Sequence, residues 1–176
     1  MRKLSMNELN RKSVEEFRRS EKIPVIAVLD NVRSMNNVGS IFRSSDAFLL
    51  ESIYLCGYTP RPPHRDINKT ALGATDTVTW EYHENILPAL DMLKQKGYQV
   101  YAVEQAEGSI MLNDLVIDKS AKIALVFGNE VEGVQDEVIS ISDQCIEIPQ
   151  SGMKHSLNIS VAAGIVFWQL YKQISL

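Results

Sequence analysis

The sequence predicts a single α/β domain in which a parallel sheet is flanked by helices. Apolar runs of strand length alternate with helix-like segments along most of the 176 residues. Strands that alternate with helices favour a parallel sheet covered on both faces. The apolar content of 45% and the charged content of 23% are those of an ordinary globular protein. A chain of this length is able to bury one substantial core.

The first part of the chain is predicted to run helix, strand, helix, strand. Residues 5–22 carry Leu9, Val14 and Phe17 at helical spacing, and Pro24 ends this segment. The next segments are a strand at 25–30, a helix at 36–50 and a strand at 52–56. Residues 58–75 then contain three prolines followed by basic residues, so we predict a long loop, a feature that is often functional.

The second part is predicted to alternate in the same way. The helix at 84–97 ends at a glycine and tolerates Pro88 only in its first turn. The other segments are strands at 77–82, 98–104, 122–128 and 144–149, and a terminal apolar helix at 156–174. Ligands of such folds bind at the carboxyl ends of strands, so the segments that follow strands are expected to carry the chemistry.

Charge divides the chain into a basic helical extension, residues 1–22, and a main domain, residues 23–176. The extension carries seven Lys or Arg and four Glu, although the whole chain has a net charge of −4. An acidic body with basic patches is compatible with RNA binding but does not require it. Candidate RNA contacts are Arg11 and Arg18 in the extension and Arg61, Arg65 and Lys69 in the predicted loop. Equally, such charges often only face water.

No membrane or metal partner is expected from the sequence. The N-terminal residues are polar, and the most apolar stretch, residues 159–170, is interrupted by Ser160 and too short to span a bilayer. The two cysteines, Cys56 and Cys145, lack the spacing of a metal site and are expected to be reduced. We therefore expect a cytoplasmic protein.

Three segments that follow predicted strands place polar residues at the beginning of a helix. The first, residues 30–48, contains Asn37 and, one helical turn beyond Gly39, Arg43. A helix N-terminus offers free N–H groups to an anionic or polar ligand. Taken alone, the pattern is just as typical of an Asn-capped helix with a surface arginine.

The second segment, residues 126–134, places two carboxylates between Gly128 and Gly133. These are Glu130 and Glu132, and acids in a tight strand-to-helix turn are also favoured by the helix dipole alone. The letters GNEVEG do not match GxGxxG, and no P-loop lysine follows. Dinucleotide and triphosphate fingerprints are therefore excluded.

The third segment, residues 148–165, places Ser156 and Asn158 on the first turn of an apolar helix. Buried hydroxyl and amide groups need hydrogen-bond partners, so these residues are either caps or part of a site. His155 precedes Ser156 directly, and adjacent residues do not readily form a nucleophile and base pair. The absence of GxSxG also argues against a hydrolase.

Together, the three segments resemble the SpoU (TrmH-like) branch of the SPOUT-class RNA methyltransferases. The resemblance is carried by N-x-G-x-x-x-R at 37–43, F-G-N-E-x-x-G at 127–133 and I-P-x-S-G-x-x-x-S-L-N-x-S-V-A at 148–162. The segments KTALGA at 69–74 and LKQKGYQVYAVE at 93–104 also look like that family. The resemblance covers residues from about 24 to 172, nearly the whole chain.

The resemblance implies an RNA 2′-O-ribose methyltransferase that uses S-adenosyl-L-methionine and acts on tRNA or rRNA. It also implies a homodimer with a shared active site and a deep trefoil knot near the C-terminus. The catalytic residues implied by position are Asn37, Arg43, Glu130, Ser156 and Asn158. The implied cofactor pocket consists of Val103, Glu104, Gly128, Ile148, Ser156 and Leu157. A catalytically inactive RNA-binding protein of the same fold is the alternative, although it would not need all five polar residues.

Two positions depart from the family pattern. The letters SMN at 34–36 stand where members often have Asp-Pro-His, and Leu49 stands where a glycine is common. Neither departure removes a candidate catalytic side chain.

Arg43 is the group that the resemblance implies for activating the 2′-hydroxyl. A guanidinium is a poor base because it stays protonated at neutral pH. Arg43 either anchors the neighbouring phosphate and the developing alkoxide, or it is made easier to deprotonate by Asn37 and nearby groups. We favour the first role, since it needs no change in protonation.

Overall fold

One parallel sheet organises the computed structural model of the chain, which describes residues 1–9 and 12–176. Within that part of the chain, seven strands are joined by six pairings, all of them parallel. The strands are β1 (Ile23–Asp30), β2 (Leu50–Cys56), β3 (Thr79–His83), β4 (Tyr98–Val103), β5 (Ile110–Met111), β6 (Lys122–Phe127) and β7 (Gln144–Glu147). Their order across the sheet is β3-β2-β1-β6-β4-β7-β5. The predicted parallel α/β sheet is confirmed.

Helices cover both faces of this sheet. They are α1 (Val14–Arg19), α2 (Met35–Ala47), α3 (Arg65–Ala71), α4 (Ala74–Thr77), α5 (Ile86–Gln95), α6 (Asp136–Ile141) and α7 (Ile159–Ser175). The helices α2, α3, α4 and α7 contribute to one buried cluster, and α5 and α6 to another. Successive β1 residues alternate between the two clusters, with Leu29 in the first and Val28 in the second. This double burial explains the continuous apolar run of β1.

The predicted loop at 58–75 is wrong in its second half, which contains α3 and α4. His64 caps α3, because its Nδ1 accepts a hydrogen bond from the Asp66 N–H at 3.2 Å. The helix then packs closely on α2 at Gly39. A Cβ on that glycine would lie 2.1 Å from Thr70 Oγ1 and 2.2 Å from the Ile67 carbonyl oxygen. Gly39 therefore allows α3 to pack closely on α2.

The predicted helix at 5–22 is divided into a short 3₁₀ helix, Met6–Leu9, and α1. A capping box of Ser13 and Glu16 begins α1, and the buried Phe17 anchors it. Arg18 donates a hydrogen bond to the Asp76 carbonyl oxygen at 2.8 Å, which holds α1 against α4. An RNA contact by Arg18 stays a prediction, and Arg11 lies outside the described residues.

The terminal helix begins three residues later than predicted, at Ile159. Asn158 is its N-cap, and the Asn158 side chain accepts a hydrogen bond from the Ser160 N–H at 2.9 Å. Ser156 precedes the helix and is exposed. Asn158 is therefore a cap rather than part of the first turn, and Ser156 belongs to the preceding segment.

Two leucines adopt the left-handed conformation that favours glycine. Leu49 has φ of 55° at the position where the family commonly has glycine, and its side chain packs against the core. This packing offsets the backbone strain. Leu72 has φ of 50° at the end of α3, but its side chain is 67% exposed.

We expect Leu72→Gly to raise the free energy of unfolding by roughly 0.5–1 kcal/mol. The left-handed conformation costs a non-glycine residue about 1–2 kcal/mol, and the added flexibility of glycine in the unfolded chain offsets part of the gain. Urea denaturation measures the change. Leu87→Gly is the control, because Leu87 is exposed within α5 and the change should destabilise by about 1 kcal/mol. Equal destabilisation by both changes would contradict the strain at Leu72.

Candidate active site

The three predicted segments meet at the carboxyl edge of the sheet. They follow β1, β6 and β7, and the Glu130 side chain links the first two. The Glu130 carboxylate accepts hydrogen bonds from the backbone N–H groups of Arg33 at 2.9 Å and Ser34 at 3.0 Å. It accepts a third from Asn37 Nδ2 at 3.0 Å. Glu130 thus ties the turn after β6 to the backbone of the segment after β1.

The environment of Glu130 keeps its carboxylate ionised. Partial burial raises the pKa of the Glu130 carboxyl, but the three hydrogen bonds that it accepts outweigh this effect. The pKa therefore lies below its ordinary value. At neutral pH the charged group is able to hold the N-terminal end of α2 in place.

Asn37 connects the third segment to the other two. Its Nδ2 donates to Glu130, and its Oδ1 accepts a hydrogen bond from Asn158 Nδ2 at 3.1 Å. Both ends of the Asn37 amide are thus engaged by the other two segments.

Asn129, which sequence reasoning missed, holds the turn after β6. Its Nδ2 donates to the Asn31 carbonyl oxygen at 2.9 Å and to Tyr58 Oη at 2.8 Å. Its Oδ1 accepts from the N–H groups of Val131 at 2.8 Å and Glu132 at 3.1 Å. The signal in the sequence was its fixed place in the motif F-G-N-E-x-x-G at 127–133.

The same turn brings two backbone segments into close contact. The N–H of Asn129 donates to the Gly133 carbonyl oxygen at 3.0 Å, and the N–H of Gly133 donates back at 2.9 Å. A Cβ on Gly128 would lie 2.1 Å from that carbonyl oxygen and 2.3 Å from the Val134 nitrogen. Glu104 supports the turn from β4, because its carboxylate accepts from the Val134 N–H at 3.0 Å.

A cavity of about 460 Å³ lies between this turn, the end of β4 and the segment after β7. All six residues predicted for the cofactor pocket line it: Val103, Glu104, Gly128, Ile148, Ser156 and Leu157. Apolar side chains that were not predicted, among them Phe127, Ile146 and Ala162, complete the lining. Glu130 also lines the cavity, whereas Asn37, Arg43 and Asn158 are not among the described residues that do so.

The remaining predicted cations lie on the surface. Arg43 is exposed on α2, and Arg65 and Lys69 are exposed on α3. Arg61 lies over the Tyr82 ring, with 4.1 Å between the guanidinium carbon and the ring centre. These positions leave Arg65 and Lys69 accessible to a phosphate ligand.

The described residues form no group of three or more His, Cys, Asp or Glu that could hold a metal ion. None of the helices described is long and apolar enough to cross a membrane.

Both cysteines are free, and Cys56 is buried. Burial, followed by the charge of Asp30, raises the pKa of the Cys56 thiol to about 12. Cys145 is only partly buried, and burial is the main cause of its raised pKa. Both thiols are therefore poor nucleophiles at neutral pH.

Comparison with known families places this site in a defined group. The model of the SpoU rRNA Methylase family matches residues 24–168, from the second residue of β1 to beyond the middle of α7. The chain belongs to the SpoU rRNA methylase family. The three segments described above all lie within the matched range of this SpoU chain.

Relatives of known activity agree with the SpoU assignment. A tRNA (guanosine(18)-2'-O)-methyltransferase of Thermus thermophilus is 30% identical over 166 residues, which are 94% of this chain and 84% of that protein. The enzyme of the same name from Aquifex aeolicus is 31% identical over 163 residues, covering 92% of this chain and 75% of that protein.

Solved structures of a tRNA modifying enzyme and of an rRNA methyltransferase share the fold. The TrmH/SpoU tRNA modifying enzyme of A. aeolicus has a TM-score of 0.81 and 29% identity, and the match covers 91% of this chain and 80% of that chain. The AdoMet-bound rRNA methyltransferase of Sinorhizobium meliloti has a TM-score of 0.79 and 27% identity, with 89% and 62% covered.

We expect Glu130→Gln to lower the rate of methyl transfer by about 10- to 100-fold, because the amide cannot accept all three hydrogen bonds that position α2. Single-turnover kinetics measures the rate. Glu137→Gln, an exposed change on α6, is the control. A rate within twofold of wild type would contradict this positioning role.

The same variant tests the pKa of Glu130. A carboxyl with a lowered pKa in the folded protein adds stability above its unfolded pKa of about 4.3, and this contribution is lost as the pH falls through the folded pKa. The stability difference between wild type and Glu130→Gln is therefore expected at pH 7 and should shrink below about pH 4. Denaturation at several pH values measures it, and a difference that grows in acid would contradict the lowered pKa.

Proposed function

We propose that this SpoU protein transfers the methyl group of S-adenosylmethionine to a ribose 2′-hydroxyl of tRNA or rRNA. The observation that carries the proposal is the hydrogen-bonded chain of Glu130, Asn37 and Asn158 beside a cavity of about 460 Å³. Cavities of roughly 300–1,000 Å³ accept ligands of drug or cofactor size. The names of the relatives support the same reaction.

The residues around the cavity fit this cofactor. Apolar side chains such as Ile146 and Ile148 suit an adenine ring, and backbone groups around Val103 and Gly128 offer polar contacts. Ser156 and Leu157 line the cavity from the segment after β7. When bound, S-adenosylmethionine supplies an electrophilic methyl group on a good leaving group.

Methyl transfer then depends mainly on alignment. A carbon–oxygen bond forms as the carbon–sulfur bond breaks, and the 2′-hydroxyl loses its proton to phosphate or water. Holding two reactants in line contributes on the order of 7–11 kcal/mol in the best intramolecular cases. Arg43 anchors the neighbouring phosphate and the developing alkoxide, while Glu130 and Asn37 hold the helix that carries it.

The proposal includes the trefoil knot of the family. The strand β7 lies two positions from β6, whereas α7 returns to pack against α2 and β1. The segment 148–158 therefore passes the ends of β4 and β6 on its way back, and it lines the cavity together with the turn after β6. This return path supports a knotted crossing at the cofactor pocket.

A homodimer with a shared site is also part of the proposal. One face of α7 exposes Val161 (51%), Ile165 (38%) and Trp168 (48%) at helical spacing, a pattern typical of an interface. Arg43 is not among the described residues that line the cavity of its own chain. Its position supports a site that a second copy completes.

RNA binding is proposed for the surface formed by Arg61, Arg65 and Lys69, and for Arg43 on α2. Charge reversal at Arg65 should flatten the dependence of RNA affinity on salt. A protein with fewer phosphate contacts releases fewer counterions when it binds RNA. Arg18 is a weaker candidate because it already contacts α4, whereas Arg11 stays a candidate. We propose a cytoplasmic location as for other enzymes acting on tRNA or rRNA.

The test is a map of 2′-O-methyl sites in total RNA from cells with and without the gene. The proposal predicts at least one ribose that loses its methyl group when the gene is deleted. Purified protein with S-adenosylmethionine should restore that methyl group to RNA from the deletion strain. Unchanged maps and no transfer to unmodified tRNA or rRNA would overturn it.

A further inference from the structure

The cofactor cavity has a one-sided distribution of charge. Four carboxylate residues line it, Glu104, Glu130, Glu132 and Asp136. No lysine or arginine is among its described lining residues, and His155 is the only basic side chain there. A cavity with walls of one charge sign attracts ligands of the opposite sign.

Glu104 differs from the other three carboxylates in its surroundings. It is half-buried, whereas Glu130, Glu132 and Asp136 are exposed. Its Oε1 accepts from the Gln105 N–H at 2.8 Å, and its Oε2 accepts from the Val134 N–H at 3.0 Å. Its negative charge is thus fixed at the cavity wall, where water weakens its attraction for a ligand less than at the open surface.

The charge of the ligand changes during the reaction. The sulfonium of S-adenosylmethionine is positive, and its loss of a methyl group leaves a neutral thioether, S-adenosylhomocysteine. The positive charge leaves the reaction as the proton of the 2′-hydroxyl. The rest of the ligand, including its amino acid group, is the same before and after transfer.

We infer that Glu104 makes the cavity distinguish the charged cofactor from its neutral product, so that methyl transfer itself weakens binding and favours release. This inference rests on the proposed function. Glu104 attracts the sulfonium through its charge and is a positioning residue for the turn 128–134 through its hydrogen bond to Val134. The two effects are separable. Loss of the turn weakens the binding of every ligand, whereas loss of the charge weakens the binding of cationic ligands only.

Titration calorimetry with three ligands separates them. The ligands are S-adenosylmethionine, S-adenosylhomocysteine and sinefungin, which carries an ammonium group in place of the methylated sulfonium. Glu104→Gln should lower the affinity for the two cationic ligands about five- to tenfold and the affinity for the neutral product by less than about twofold. Glu107→Gln is the control, because Glu107 is exposed and not among the residues that line the cavity. Equal weakening of all three ligands, or of none, would overturn the inference.

Wild-type protein provides a second test that does not depend on the folding of the variant. Raising the salt concentration from about 0.05 to 0.5 M should lower the affinity for S-adenosylmethionine about threefold more than the affinity for S-adenosylhomocysteine, since salt screens a net charge attraction. Equal salt dependence would also overturn the inference. Failure of the wild type to bind either ligand would instead contradict the proposed function.

Discussion

Replacing Arg43 by alanine is expected to reduce the rate of methyl transfer by about 100- to 1,000-fold, the range found when one charge-stabilising group is removed from an active site. The affinity for S-adenosylmethionine should stay within about twofold of wild type, because Arg43 is not among the described residues that line the cavity. Single-turnover transfer to RNA measures the first effect, and calorimetry with the cofactor alone measures the second.

Two further variants sharpen the result for Arg43. Arg43→Lys keeps the charge but loses the planar pair of donors, so a strong loss would indicate a two-point phosphate contact. Arg19→Ala removes an exposed arginine of α1 and should leave the rate unchanged. Near wild-type transfer by Arg43→Ala would show that the proposed anchoring role is wrong.

Gly128→Ala is expected to weaken cofactor binding more than about 100-fold and to lower the free energy of unfolding by about 1–3 kcal/mol. The added Cβ would lie 2.1 Å from the Gly133 carbonyl oxygen, and the contact is with backbone that cannot rotate away. The turn that forms one wall of the cavity would have to open. Calorimetry with S-adenosylmethionine and urea denaturation measure the two effects.

Gly164→Ala is the matched control for this change. Gly164 lies within α7, and the nearest atom to an added Cβ is Ser44 Oγ at 3.9 Å, an ordinary contact. Alanine in a helix should stabilise the protein by about 0.5–1 kcal/mol and leave cofactor affinity unchanged. If Gly128→Ala behaves like Gly164→Ala, the turn is not constrained as its geometry indicates.

The sheet could be predicted from the sequence because its central strands are buried on both faces. Every residue of β1 except Pro24 is buried, so the strand appears as an unbroken apolar run. Short elements carry no such pattern. The strand β5 has only two residues, and α3 depends on a histidine cap and on packing against Gly39, which no local pattern reveals.

The candidate site could be predicted only in pieces. Asn37 is 93 residues from Glu130 and 121 residues from Asn158, so their hydrogen bonds depend on the whole fold. Each segment by itself is also typical of a capped helix, and Asn158 indeed caps α7. The family resemblance joined the segments, whereas the role of Asn129 in holding the turn depends on contacts with Asn31 and Tyr58 that form only in the folded chain.

The hydrogen-bonded chain through Asn37 also gives the site an order of assembly. Asn37 is joined to Glu130 across 93 residues and to Asn158 across 121 residues, so the second contact forms only when the beginning of α7 has reached α2. A partly folded chain that has paired only its early strands therefore has no organised site. We expect the site to form late in folding, together with the docking of α7.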